Sequence, residues 1–225
     1  MKRILIILSL FLFSINVEAQ FILSRSNYVP PAAVGGDPPA GASYMDDFEA
    51  YSNAALAGQG NWIAGIGTMN VTDVAGDNSV TAGSAAYSAV IYNNDFANDQ
   101  YSAGTFLSDG GQYLAVGVRF TGTDGTLCGY ALIRTPSATF LLQTITNGEG
   151  TTLATGEAPS IVAGDVMRLE VSGTTLSCYY NGALITSIDT DGRVTDGTYA
   201  TGKAGMLGYG SGVDKSFGSW AGGDL

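Results

Sequence analysis

The run 166–187, VMRLEVSGTTLSCYYNGALITS, constrains the fold more than any other stretch of the chain. Val166, Arg168 and Glu170 alternate with Met167, Leu169 and Val171. That period of two fits a strand with one buried face. Ser172-Gly173 predicts a first turn, and TLSCYY a second strand. Asn181-Gly182 predicts a tight hairpin turn, because both residues accept positive φ. ALITSI is expected to return as a third strand. Such a meander is not stable alone in water. It must form one edge of a larger antiparallel β-domain.

The rest of the chain agrees. Gly is frequent (32 residues) and Lys, Arg, Asp and Glu together supply 13%. This composition suits many short strands joined by tight turns. No convincing helical period follows the N-terminus. Strands are predicted over 44–50, 69–73, 78–82, 87–92, 100–106, 113–120, 128–134, 139–145 and 151–153, then the opening three, then 205–210 and 215–220. Gly, Asn and Asp mark the junctions. A strand every 10–12 residues or so is the spacing of a two-sheet sandwich.

The N-terminus reads differently. Lys2 and Arg3 precede an apolar run over 4–15, and Val17-Glu18-Ala19 places small residues at the −3 and −1 positions of a cleavage site before Gln20. Residues 1–19 are therefore expected to be a secretory signal peptide, with no membrane span after processing. Residues 20–43 carry Pro30-Pro31, Gly35-Gly36 and Pro38-Pro39, the composition of a linker or arm. The apolar Phe21, Ile22 and Leu23 would also let that arm pair with a neighbouring subunit. The folded domain is expected over 44–225. A net charge of −11 argues against a nucleic-acid partner, because an acidic surface repels phosphate backbones.

Several motifs together resemble the concanavalin A-like lectin/glucanase superfamily, in its laminin-G-like jelly-roll form. They are DDFEAY at 46–51, NDQYSAGTF at 98–106, GYALIR at 129–134, GDVMRLEVSGTTLSCYYNGALI at 164–185 and VTDGTYATGKAGMLGYG at 194–210. The resemblance covers nearly all of 44–225. It implies an all-β, two-sheet antiparallel jelly-roll sandwich with one concave sheet and adjacent first and last strands. That fold hosts glycan binding, glycan cleavage and structural or adhesive roles alike.

The chemistry narrows the choice. Glycoside hydrolysis needs two carboxylates facing each other across the sugar. Catalytic members of the superfamily place them as E-x-D-x-x-E, a pattern this chain lacks. The chain holds no His, which removes a Ser-His-Asp triad, a His-based zinc site and the His of polysaccharide lyases. Alternation instead proposes a binding face. With Leu114, Val116, Val118, Phe120, Ala131 and Ile133 taken as core, Tyr113, Arg119, Tyr130 and Arg134 fall on the opposite face. In 139–145, Leu141 and Ile145 are expected to point in and the polar Gln143 out, although the three share one parity. Tyr101 would join them from the preceding strand. The same pattern also describes an ordinary solvated sheet face. Trp62 and Trp220 are expected to be packing anchors, and Asn70-Val71-Thr72 matches a glycosylation sequon.

Asp189, Asp191 and Asp196 resemble part of a calcium loop, and turn-forming Asp explains them equally well. Asp95 and Asp99, among Asn93, Asn94 and Asn98, form a second such cluster. Cys128 and Cys178 could close one disulfide around about 50 residues, worth about 4 kcal/mol in loop entropy, or remain two thiols. The expectation is a secreted, non-catalytic carbohydrate-binding or adhesion module with a glycan or polysaccharide partner and at most a structural calcium. The alternative is a structural subunit of an extracellular assembly (surface layer, filament or virion decoration) that binds neighbouring protein subunits. A glycan-cleaving hydrolase or lyase comes last.

Overall fold

A computed structural model of the chain describes residues 43–225 apart from 75, 109–112 and 212–215. The expected leader, and all of the expected arm except Ser43, lie outside the described residues. Fifteen strands and no helix occur among the described residues. In chain order they are β1 (Ser43–Asp46), β2 (Trp62–Ile66), β3 (Met69–Val74), β4 (Asp77–Tyr92), β5 (Gln100–Ser108), β6 (Tyr113–Thr121), β7 (Cys128–Arg134) and β8 (Thr139–Thr146). They continue with β9 (Glu149–Glu157), β10 (Val166–Ser172), β11 (Thr175–Tyr180), β12 (Ala183–Leu184), β13 (Arg193–Thr195), β14 (Lys203–Ser211) and β15 (Ser216–Asp224).

Two antiparallel sheets form the expected jelly-roll sandwich. The first runs β12-β11-β10-β5-β15, with β13 on β11 and β1 on β15. The second runs β2-β4-β14-β6-β7-β8-β9. β4 belongs to both: 77–82 pairs with β3 beside the first sheet, and its later residues pair with β14 and β2 in the second. The two runs expected at 78–82 and 87–92 are thus one strand. First and last strands lie side by side, Ser43 opposite Gly223.

The opening meander forms an edge, as its pattern requires. Met167, Leu169 and Val171 are fully buried while Val166, Arg168 and Glu170 are partly covered. Asn181 and Gly182 turn with φ of 49° and 77°. The third strand is shorter than expected: Ile185 N–H still bonds Cys178 O of β11, but the chain then turns and buries Ile185 and Ile188 in the core. The DDFEAY motif also gains a physical role. The Asp46 carboxylate accepts hydrogen bonds from Trp62 Nε1 (2.8 Å), the Tyr51 hydroxyl (2.5 Å) and Phe48 N–H (2.9 Å). These hold Phe48 at φ 62° with its ring fully buried. Trp62 packs edge-on against Trp220 at 4.9 Å, so both tryptophans are core anchors.

The second sheet is apolar on both faces. Leu114, Val116, Val118, Tyr130, Leu132, Phe140, Leu142 and Met206 fill the sandwich. Ala89, Ile91, Ala115, Phe120, Leu127, Ala131, Ile133, Ile145 and Leu207 form a separate cluster on the far face. The β6–β7 loop and the β8–β9 turn fold over that face towards edge strand β2. Asp124 N–H reaches Gly65 O at 2.7 Å, and Gly148 N–H reaches Leu127 O at 2.9 Å. A methyl group on Gly148 would stand 2.8 Å from Ile66 Cδ1. Inside the curl lies Phe120. Its ring covers Gly117, Gly129 and Gly205: a methyl on Gly117 would overlap the ring, and one on Gly129 would lie 2.6 Å from it. The expected hollow is therefore lined and partly filled by a second core. Among the described residues, no helix is long and apolar enough to cross a membrane.

Candidate functional site

The six residues expected on one open face are distributed over four environments. Tyr130 and Arg134 point into the sandwich, not out of it. Tyr130 is fully buried, donates to Asp196 Oδ1 (2.7 Å) and accepts from Tyr199 N–H (2.9 Å). Burial, then Asp196, pushes its phenol up to about 12. Arg134 lies between its strand partners Leu114 and Phe140 and donates to the carbonyls of Thr135 and Pro159. Expected core residues Ala131 and Ile133 occupy the far face instead. Both sides of β7 are apolar and buried, so alternation had no contrast with which to assign them.

Arg119 is a bulge residue with φ 54°. The inserted position sends Phe120 to the far face and Arg119 to the end of the strand, reversing the expected parity. Its guanidinium is clamped by backbone. Nε and Nη2 donate to Asn98 O (3.0 and 2.8 Å), and Nη1 donates to Tyr199 O (2.8 Å). Gln100 accepts the Arg119 N–H at 3.1 Å and donates to the carbonyls of Ala97 and Gly202. Burial pulls the guanidinium below its ordinary range, with Tyr130 and Asp99 acting against that pull. Tyr101 belongs to the first sheet, buried opposite Glu170 and Gly223. It shares no surface with the other five.

The acidic clusters are likewise spent within the fold. Asp196 holds Tyr130, Asp191 caps the Arg193 N–H (3.0 Å), and Asp189 sits in a turn at φ 42°. Asp99 accepts from Ser172 Oγ and Gly173 N–H, and Asp95 lies 3.7 Å from Lys203 Nζ. Among the described residues, no three His, Cys, Asp or Glu side chains converge as a metal would require. Cys128 and Cys178 are separate thiols, the second of the two expected alternatives. Cys178 is buried, and burial pushes its thiol up to about 12.

Tyr113 and Gln143 do lie on the far face of the second sheet, and two residues the sequence reading missed join them. Tyr209 pairs with Tyr87 on one side and with Tyr113 on the other. The three rings form a row across β4, β14 and β6, with centroids 5.5 Å and 5.3 Å apart. Tyr87 and Tyr113 are half-buried, while Tyr209 is 40% exposed. Each tyrosine stands in an expected strand. Only the register reveals that those strands adjoin.

Gln143 completes the arrangement. Its side chain is 7% exposed, and Nε2 donates to Thr152 Oγ1 at 3.1 Å. Its Oε1 is buried with no partner. A methyl group on Gly150 would strike that oxygen and lie 3.4 Å from the Tyr87 hydroxyl, so the two polar groups converge there. Burial, then the charge of Glu149, raises the Tyr87 phenol above its ordinary value. An orphaned buried oxygen costs about 1–3 kcal/mol, and such atoms in folded proteins call for an explanation. This end of the curled sheet thus presents an exposed ring and phenol hydroxyls, with an unpartnered acceptor buried beside them. Such a set suits a flat-faced, hydroxyl-bearing ligand.

No protein-family model and no curated protein sequence matches the chain. Solved structures do. A protein of unknown function with a galectin-like fold from Bacillus subtilis aligns with TM-score 0.58 and 12% identity, over 80% of this chain and 94% of that one. The exoplasmic/lumenal domain of VIP36, bound to Ca2+ and Man3GlcNAc, aligns with TM-score 0.53 and 12% identity over 77% and 87%. The carbohydrate-binding module CBM66 from Bacillus subtilis aligns with TM-score 0.52 and 14% identity over 73% and 92%. The chain has the jelly-roll β-sandwich fold of these lectin-like domains. Identities this low speak to fold alone.

Proposed function

We propose that the chain is a secreted, non-catalytic carbohydrate-binding module. In this reading residues 1–19 direct export, 20–43 form an arm, and the domain over 44–225 is a laminin-G-like member of the concanavalin A-like group. The observation that carries the reading is the row Tyr87-Tyr209-Tyr113 beside the unpartnered Gln143 Oε1. A sugar ring can lay its apolar face on Tyr209 while a hydroxyl donates to Gln143. The likeness in fold to CBM66, and to VIP36 solved with a mannose oligosaccharide, supports it. The absence of His from the sequence and of an E-x-D-x-x-E strand favours binding over bond cleavage.

A glycan array and polysaccharide pull-downs with the intact protein test the proposal. Binding to at least one glycan is expected, weakened about tenfold or more by Tyr209→Ala. Silence across the array, with concentration-dependent self-association in sedimentation, would instead assign the chain to an extracellular assembly.

A further inference from the structure

The mouth has a chemical bias that goes beyond a general affinity for sugars. Gln143 spends its amide N–H on Thr152, so what it leaves free is an acceptor. A ligand can satisfy that oxygen only by bringing a donor. A sugar hydroxyl does so. An ionised carboxylate or sulfate brings only acceptors and would leave two buried oxygens opposed.

Charge points the same way. Glu149 is exposed at the start of β9, next in sequence to Gly150, over which Gln143 Oε1 and the Tyr87 hydroxyl converge. Its charge is felt at the Tyr87 phenol. The chain as a whole carries −11. The two arginines expected to face the ligand, Arg119 and Arg134, are buried and hydrogen-bonded to backbone carbonyls. They are therefore held away from any acidic sugar at this mouth.

We propose that the tyrosine mouth selects uncharged glycans against acidic ones, with Gln143 and Glu149 as the specificity-determining residues. The inference rests on the carbohydrate reading above. Gln143 disfavours a carboxylate or sulfate seated at its own oxygen, though the hydroxyls of an acidic sugar can still donate to it, so Glu149 carries the larger share of the selection by repulsion.

Affinity electrophoresis of the intact protein tests this, with mannan, xylan and β-glucan as neutral probes and alginate and polygalacturonate as acidic ones. At low salt, binding to a neutral probe is expected, with none to either uronate. Glu149→Gln, an exposed change that leaves the fold intact, should leave neutral binding within about twofold and raise uronate binding about five- to tenfold. That gain should shrink at high salt. Equal retention of neutral and acidic probes by the wild-type protein would overturn the inference and leave the carbohydrate reading standing. So would a Glu149→Gln variant no more receptive to uronates than the parent. Retention of a uronate but of no neutral probe would likewise overturn the inference alone, whereas silence across the glycan array would end both.

Discussion

The second sheet holds two tyrosine clusters with opposite hydrogen-bond economies. At the sandwich end, Tyr130, Arg119, Gln100 and Asp196 form a network whose hydroxyl, amide and guanidinium groups are engaged. At the mouth of the curl, Tyr87, Tyr113, Tyr209 and Gln143 include an exposed ring and a buried oxygen with no partner. Similar side chains thus serve different ends. The sealed cluster fixes loops to strands, and the unsealed one is the proposed ligand site. Residue type alone does not separate a strut from a site. An unpartnered buried atom does so only beside exposed groups, since Arg134 Nε, deep in the fold, also lacks a partner.

The sharpest way to break this contrast is to attack the sealed cluster. Arg119→Ala leaves Asn98 O and Tyr199 O without their donors and should cost about 2–4 kcal/mol. Urea unfolding followed by the fluorescence of Trp62 and Trp220 reads that loss. A stability change below about 1 kcal/mol would place Arg119 among ordinary surface charges.

Gly117→Val probes the layer between the clusters. The added side chain meets the Phe120 ring, and overpacking of this kind costs about 1–3 kcal/mol. If instead the variant unfolds at the wild-type urea concentration, the far face is open enough to yield and the second core is loosely held.

Tyr130→Phe deletes one hydroxyl from the sealed network and should cost about 1–2 kcal/mol. Its partner supplies a pH dependence. Burial raises the Asp196 carboxyl, but hydrogen bonds from Tyr130 and Thr198 outweigh it and hold the group below the usual carboxylate range. A depressed native pKa adds stability above the unfolded value, about 3.9. That contribution fades as pH falls from about 5 towards about 2. Asp196→Asn should flatten that part of the stability curve, and an unchanged acid limb would show the bond to be energetically idle.

The smallest effect on folding belongs to the unsealed cluster. Tyr209→Ala should shift stability by no more than about 0.5 kcal/mol, because the ring is 40% exposed. A large destabilisation would mean that the tyrosine row is a structural brace.

Much of the fold could be read from the chain before any coordinates. The alternation of 166–171 and the Asn181-Gly182 turn were legible because one face of that edge meets water and the other does not. β7 offered no such contrast, so Tyr130 and Arg134 were assigned to the wrong side. At β6 the error came from one residue. The positive φ of Arg119 inserts a position that no periodicity records. Gly117, Gly129 and Gly205 were visible in the sequence, but their common purpose appears only when the register aligns them beneath Phe120. The tyrosine row failed to show for the same reason. Its members come from strands distant in sequence, and adjacency is a property of topology.

The sixteen-residue β4 runs without a break from one layer into the other. A continuous backbone ties the two layers more rigidly than side-chain packing could. Neither can peel away or slide without bending the strand that both own. A ligand at the proposed site near Tyr87 would therefore rest on a strand that continues, past a bulge, into the opposite layer.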